Sequence, residues 1–269
     1  MNLFEAKNAS KRIDGTLVLN DITIKISKGE RVAIIGSNGS GKSSLLKLVG
    51  GIYEETNGDV QRQKVEIGFV PEHFPENIRF NIRDYLSLIG KMNGQNDTYK
   101  NIEYYSQSFE ISEFLNTPLR KCSKGTKQKV GIIQALLKEP DLLLLDEPLT
   151  GLDDQAQYEF LNQIHSLPKE VTILFTVHEQ LLIDRLAERV ITVEGGKIIS
   201  DSLIGREENV RIIKARIPSK DIVLQVPSLS HQFIGDNTVE FIVRVNDSDR
   251  VLSMLLAREC SIIELKEKR

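Results

Sequence analysis

Residues 36 to 43 read Gly36-Ser37-Asn38-Gly39-Ser40-Gly41-Lys42-Ser43, and they stand between an apolar run, Arg31 to Ile35, and a periodic stretch, Lys42 to Val49. A strand, a glycine-rich turn and a helix in that order point to an α/β fold. The glycines permit a backbone path that other residues resist, and the helix must pack back on the sheet it left. The letters fit G-x-x-x-x-G-K-[ST], a pattern with a specific chemistry: backbone amides curl around phosphate oxygens, and the helix start adds orphan N–H groups and a positive dipole end. Lys42 then reaches the β- and γ-phosphates of a nucleotide, and Ser43 ligates Mg²⁺. Gly36, Ser37, Asn38, Gly39, Ser40, Gly41, Lys42, Ser43 and Ser44 are the candidate phosphate-binding residues.

A second constellation lies 104 residues beyond Lys42, where Leu142-Leu143-Leu144-Leu145 ends in Asp146-Glu147. Four leucines are apolar on both faces, which suits a central strand covered by helices on each side. If that strand runs parallel and adjacent to the strand before the glycine-rich loop, Asp146 sits beside the Mg²⁺, and Glu147 can take a proton from an attacking water. Further strand-like runs are Val18 to Ile26, Val65 to Val70 and Val171 to Val177, with helical segments between several of them. This alternation predicts a mostly parallel sheet. From about residue 74 to 139 the texture becomes helical, with segments at Arg83 to Lys91 and Thr98 to Glu110, and reads as an inserted helical subdomain. After Arg206 the chain reads as a small separate α+β unit: strand from Val239, helix to Ala257, strand from Ser261.

Charge and composition narrow the function classes. A net charge of -3 gives no basic field, so no nucleic-acid partner is expected. The longest strictly apolar runs are four residues, far short of the roughly 20 a spanning helix needs. The start carries no signal-peptide pattern, and two distant cysteines, Cys122 and Cys260, make no disulfide framework, so the chain reads as cytosolic.

The loop, the L-L-L-L-D-E-P strand end, Leu149-Thr150-Gly151-Leu152-Asp153, Cys122-Ser123-Lys124-Gly125-Thr126-Lys127-Gln128-Lys129 and His178-Glu179 occur in an order and spacing that resemble the ATP-binding cassette proteins. The resemblance covers about residues 1 to 200. It implies a P-loop NTPase core over 1–205, carrying the helical subdomain and followed by the extension at 206–269. It also implies an ATPase working as a head-to-tail dimer, homodimeric or heterodimeric, with ATP between one subunit's P-loop and the other's signature segment. Ser123 and Gly125 would then approach the partner's γ-phosphate, with Glu147 as general base, Asp153 as a dimer contact and His178 touching the γ-phosphate.

Three positions depart from the family's pattern. Ile13 stands where an aromatic residue usually stacks on adenine, leaving an apolar contact without a π face. Glu72 replaces the usual glutamine after the strand Ile67 to Pro71; it still offers Mg²⁺ an oxygen, and glutamate there resembles cassette proteins that serve export systems. Lys124 interrupts the usual L-S-G-G-Q signature, either pointing to solvent or adding a cation toward the partner's phosphates. Cys122 reads as a small buried hydrophobe. The expected function is the ATP-hydrolysing subunit of a membrane exporter, peripheral on the cytoplasmic face and paired with a separate transmembrane permease gripped by the region from Glu72 to Tyr85. The alternatives are a soluble cassette ATPase, against which stand the single P-loop and the lack of heptads, and a low-turnover regulatory module, against which stands Glu147.

Overall fold

An antiparallel hairpin opens the chain in the computed structural model, which describes residues 2–92, 98–177, 180–204, 210–219, 222–223, 226–228, 230–235 and 237–268. Its strands are β1 (Asn2–Ile13) and β2 (Thr16–Ser27), joined through Asp14 and Gly15, whose φ angles of 48° and 80° suit a tight hairpin turn. The chain continues as β3 (Arg31–Ile35), α1 (Lys42–Val49), β4 (Asn57–Arg62), β5 (Ile67–Val70), α2 (Ile82–Met92), α3 (Thr98–Ser108) and α4 (Lys124–Leu136). Then come β6 (Leu142–Asp146), α5 (Asp154–Ser166), β7 (Thr172–Thr176), α6 (Gln180–Leu186), β8 (Arg189–Glu194) and β9 (Lys197–Leu203).

Two sheets result. One is antiparallel, in the order β2-β1-β4. The other has the order β5-β6-β7-β3-β8-β9, parallel throughout except for β9 at its edge. This order corrects one expectation: β6 is not adjacent to β3, because β7 lies between them. Position along a sequence does not dictate position across a sheet, so the spacing of the two motifs carried no information about the intervening strand.

The leucine run of β6 is a strand because both of its faces are covered. Leu142 and Leu144 join a core with Phe4, Ile22 and Leu45, while Leu143 and Leu145 join a second core with Val130, Ile133 and Phe160. Each leucine is buried, at about 1.5–3 kcal/mol per side chain, which outweighs leucine's modest strand preference. The helical subdomain packs into the second core through Ile82, Leu86 and Ile102.

β1 escapes a period-two reading because its pairing with β2 shifts at several points, and Asn8 and, opposite, Asp21 adopt φ of 49° and 57°. β4 shows only half-buried Val60 and Arg62 among exposed residues, so it has no apolar signature. The β8–β9 hairpin is signalled by Gly195-Gly196, a two-residue turn with φ of 54° and 77°.

The described residues fall into two compact units, Met1–Ile204 and Gly205–Arg269. The second consists of β10 (Val210–Arg216), β11 (Ser230–Phe233), β12 (Thr238–Arg244), α7 (Val245–Ala257) and β13 (Ser261–Lys268), with sheet order β11-β12-β10-β13. The strand-helix-strand pattern expected from residue 239 onward is β12-α7-β13; β10 and β11 are additional. Phe241, Val243, Val251 and Leu255 fill this unit's own core. A chain ending after Ile204 is therefore expected to stay soluble and hydrolyse ATP within a few-fold of the full-length rate. Solubility, melting temperature and phosphate release measured together check this, and an insoluble or inactive product would show that residues 205–269 complete the first unit's fold.

Candidate active site

The loop from Gly36 to Gly41 leaves the carboxyl end of β3 and enters α1, the edge of a parallel sheet at which α/β proteins bind ligands. Gly36 has φ of 149°, and a Cβ there would lie 2.2 Å from the Val193 carbonyl oxygen of β8, so no other residue fits. Gly41 is the N-cap of α1 in a left-handed conformation; no side chain caps the helix and no acidic residue stands in its first turn. The first amides of α1 are thus left for an anion. Ser37, Asn38 and Gly39 form the exposed tip, and Ser44 is half-buried in the first turn.

Lys42 is 5% exposed, and its Nζ donates to the carbonyl oxygens of Gly36 and Ser37 at 3.0 and 3.1 Å. The ammonium is held across the loop by its own backbone. The Ser40 hydroxyl is buried with no hydrogen-bond partner among the described residues, while its backbone carbonyl accepts from the Gly196 N–H at 2.8 Å. That contact ties the loop to the β8–β9 turn.

Asp146, 2% exposed at the end of β6, accepts on Oδ1 from the Ser43 hydroxyl at 2.9 Å and from the Thr176 hydroxyl at 2.7 Å. The next residue, Glu147, has φ of 48°, and its N–H donates to Thr176 Oγ1 at 2.9 Å. Ser43, Asp146 and Glu147 are therefore brought together although β7 separates β6 from β3, the strand that leads into α1. A hydroxyl and a carboxylate are a donor set Mg²⁺ takes alongside substrate phosphates and water. Among the described residues no cluster of three or more His, Cys, Asp or Glu is placed to hold a metal alone.

Glu72 follows β5 and Pro71 with its side chain 45% exposed, and the His73 imidazole lies 3.8 Å from its carboxylate. The described contacts thus join Ser43 to Asp146 and do not bring Glu72 to either. Ile13, half-buried, closes β1 opposite Thr16. His178 and Glu179 lie outside the described residues.

The signature segment is fastened to its own chain. Ser123 is the N-cap of α4, accepting from the Thr126 N–H at 3.0 Å and sharing a 2.8 Å hydrogen bond with the Thr126 hydroxyl. A Cβ on Gly125 would stand 2.6 Å from the Gly151 carbonyl oxygen, so this glycine is required within the chain whatever approaches from outside. Lys124 is exposed, with its stem across Gly151. Cys122 is only partly buried, which is enough to push its thiol up and keep it neutral. Gln128, quoted in the motif without a role of its own, donates to the Pro148 carbonyl at 3.0 Å from a buried position.

Asp153 caps α5 by accepting from the Ala156 N–H at 2.8 Å and pairs with Lys129 at 3.2 Å. Those two contacts, the backbone hydrogen bond first, hold its carboxyl below the usual aspartate range. The interactions of Gln128 and Asp153 link α4 to the segment that follows Glu147.

A family model described as ABC transporter matches residues 19–150. An uncharacterised ABC transporter ATP-binding protein of Methanocaldococcus jannaschii is 28% identical over 261 residues, covering 92% of this chain and 97% of that protein. The zinc import ATP-binding protein ZnuC of Vibrio vulnificus is 32% identical over 197 residues, 71% of this chain and 74% of ZnuC. Among solved structures, the dimeric post-hydrolysis state of an ATP-binding cassette bound to ADP and Pi matches with a TM-score of 0.67 at 22% identity, covering 75% of this chain and 98% of that one. At that identity the likeness is one of fold.

Proposed function

The chain belongs to the ABC transporter family and is an ABC ATPase, and on that premise we propose that it powers a membrane transporter whose spanning helices lie on a separate polypeptide. The observation that carries the reading is the meeting of Ser43, Asp146 and the Glu147 backbone beside the phosphate loop. Among the described residues no helix is long and apolar enough to cross a membrane, so in this reading the described elements serve as the ATP-driven part.

The residues divide the work as follows. The loop amides, the start of α1 and Lys42 bind the triphosphate. Ser43 and Asp146 would hold Mg²⁺, with Glu72 as a further oxygen donor, and the ion when bound would supply charge neutralisation for the phosphates. Glu147 accepts the proton of the attacking water, and His178 contacts the γ-phosphate. Ser123, Gly125 and the amides opening α4 meet the ATP of a second cassette, with Asp153 nearby at the dimer contact. Ile13 supplies an apolar contact to adenine.

The surface that grips the permease is narrower than the region from Glu72 to Tyr85. Phe74 and Ile82 are buried in the core, whereas Phe80 is 48% exposed and lines a hollow of about 310 Å³ with Arg83, Leu88, Lys91 and Tyr99. We assign the transporter to export on Glu72 and the short C-terminal unit, although the relative ZnuC is named for zinc import. The chain would then sit on the cytoplasmic face of the membrane. Affinity purification from detergent-solubilised membranes tests this: a membrane-spanning polypeptide is expected with the wild-type chain and lost with Phe80→Asp, whose isolated ATPase rate stays unchanged. Recovery of ribosomal or DNA-repair proteins in its place would favour a soluble cassette ATPase.

A further inference from the structure

We infer that the Thr176 hydroxyl is a positioning group of the hydrolytic site, fixing the Glu147 backbone and the Asp146 carboxylate in one frame; this rests on the reading of Glu147 as the base. Because β7 separates β3 from β6, no backbone ladder joins the strand that feeds the phosphate loop to the strand that ends in Asp146, one residue before Glu147. Thr176 ends β7 in register with Ile34 of β3 on one side and Asp146 of β6 on the other. It thus occupies the gap between the two halves of the site.

Thr176 is fully buried beside Phe175, in a strand whose three preceding residues are Ile173, Leu174 and Phe175, and a hydroxyl there is costly unless it is paired. It is paired in both directions. Its single proton goes to Asp146 Oδ1 at 2.7 Å, so the oxygen's lone pair takes the Glu147 N–H at 2.9 Å. The Ser43 hydroxyl meets the same Oδ1 from α1 at 2.9 Å, so groups from α1 and β7 converge on one carboxylate oxygen. Glu147 is held at φ of 48°, a conformation non-glycine residues adopt rarely and only where surrounding contacts fix it. The bond from its N–H to Thr176 is such a contact, and the β-branched threonine keeps that oxygen in place. Valine at this position keeps the shape and removes both bonds.

The test compares wild type, Thr176→Val, Thr176→Ser and Glu147→Gln as full-length chains, reading kcat and KM for ATP, equilibrium binding of a fluorescent ATP analogue with Mg²⁺, and melting temperature. Thr176→Val is expected to lower kcat by about 10- to 100-fold, the scale of a small misplacement of a catalytic group, with KM and analogue affinity within about threefold. Thr176→Ser, which keeps the hydroxyl, should recover kcat to within about threefold of wild type whatever its melting temperature. If Thr176→Val does not fold, Thr176→Ala is read in its place. Wild-type kcat in the hydroxyl-free variant, or Thr176→Ser as slow as Thr176→Val, overturns the inference. Glu147→Gln at wild-type turnover overturns the base assignment, and a slow Glu147→Gln beside a normal Thr176→Val overturns the role of Thr176 alone.

Discussion

Replacing Glu147 by Gln lowers ATP turnover by about 10²- to 10⁴-fold and leaves nucleotide affinity close to that of the wild-type chain, the range lost when a positioned general base is removed. The asymmetry follows from the geometry. Glu147 is joined to the site through its backbone N–H, whereas the phosphate-binding groups belong to the loop and α1. Gln keeps the size of the side chain and the hydrogen bond to Thr176 but cannot take a proton at neutral pH. Steady-state phosphate release and nucleotide titration on the same preparation check the split, and wild-type turnover in this variant would place the base elsewhere.

Replacing Lys42 by Ala acts on binding. Its ammonium is almost fully buried and already held by two loop carbonyls, so it needs little reorganisation to serve the phosphates. A hydrogen bond to a charged group contributes about 1.5–3 kcal/mol net, and each 1.4 kcal/mol is tenfold. Lys42→Ala should therefore weaken ATP binding by roughly 10- to 100-fold or more and bring turnover to background. The substitution also leaves the Gly36 and Ser37 carbonyls without this partner, so melting temperature is measured alongside. A folded variant with unchanged affinity and turnover would remove the loop from the chemistry.

The phosphate loop and the acid-ended strand were legible because their chemistry dictates residue types at fixed spacing, and β3, α1 and β6 occupy the residues expected of them. Strand order was not legible, because it depends on how the crossovers between strands run. The misplacement of β6 beside β3 and the silence about Thr176 have that one cause: a threonine in Thr172-Ile173-Leu174-Phe175-Thr176 looks like an ordinary β-branched strand residue until its neighbours across the sheet are known. β1 was hidden by its bulges, and the stretch from Glu72 to Tyr85 expected at the surface holds the core residues Phe74 and Ile82, because the sequence does not say which side of a helical subdomain faces the core. Ser123 and Asp153 illustrate a subtler gap. Each is a helix N-cap within its own chain, a role the residue types permit and the motif resemblance does not announce.

The most direct measurement is therefore the molar mass of Glu147→Gln in solution with Mg²⁺ and ATP, by light scattering. With the base removed and binding intact, the nucleotide should be trapped between two cassettes, each supplying its phosphate loop to one site and its α4 start to the other. The predicted result is a species of twice the 30.4 kDa chain mass that reverts to the single-chain mass when ATP is replaced by ADP. A chain that binds ATP yet remains at 30.4 kDa would contradict the account, because the hydrolytic site would then be complete within one copy.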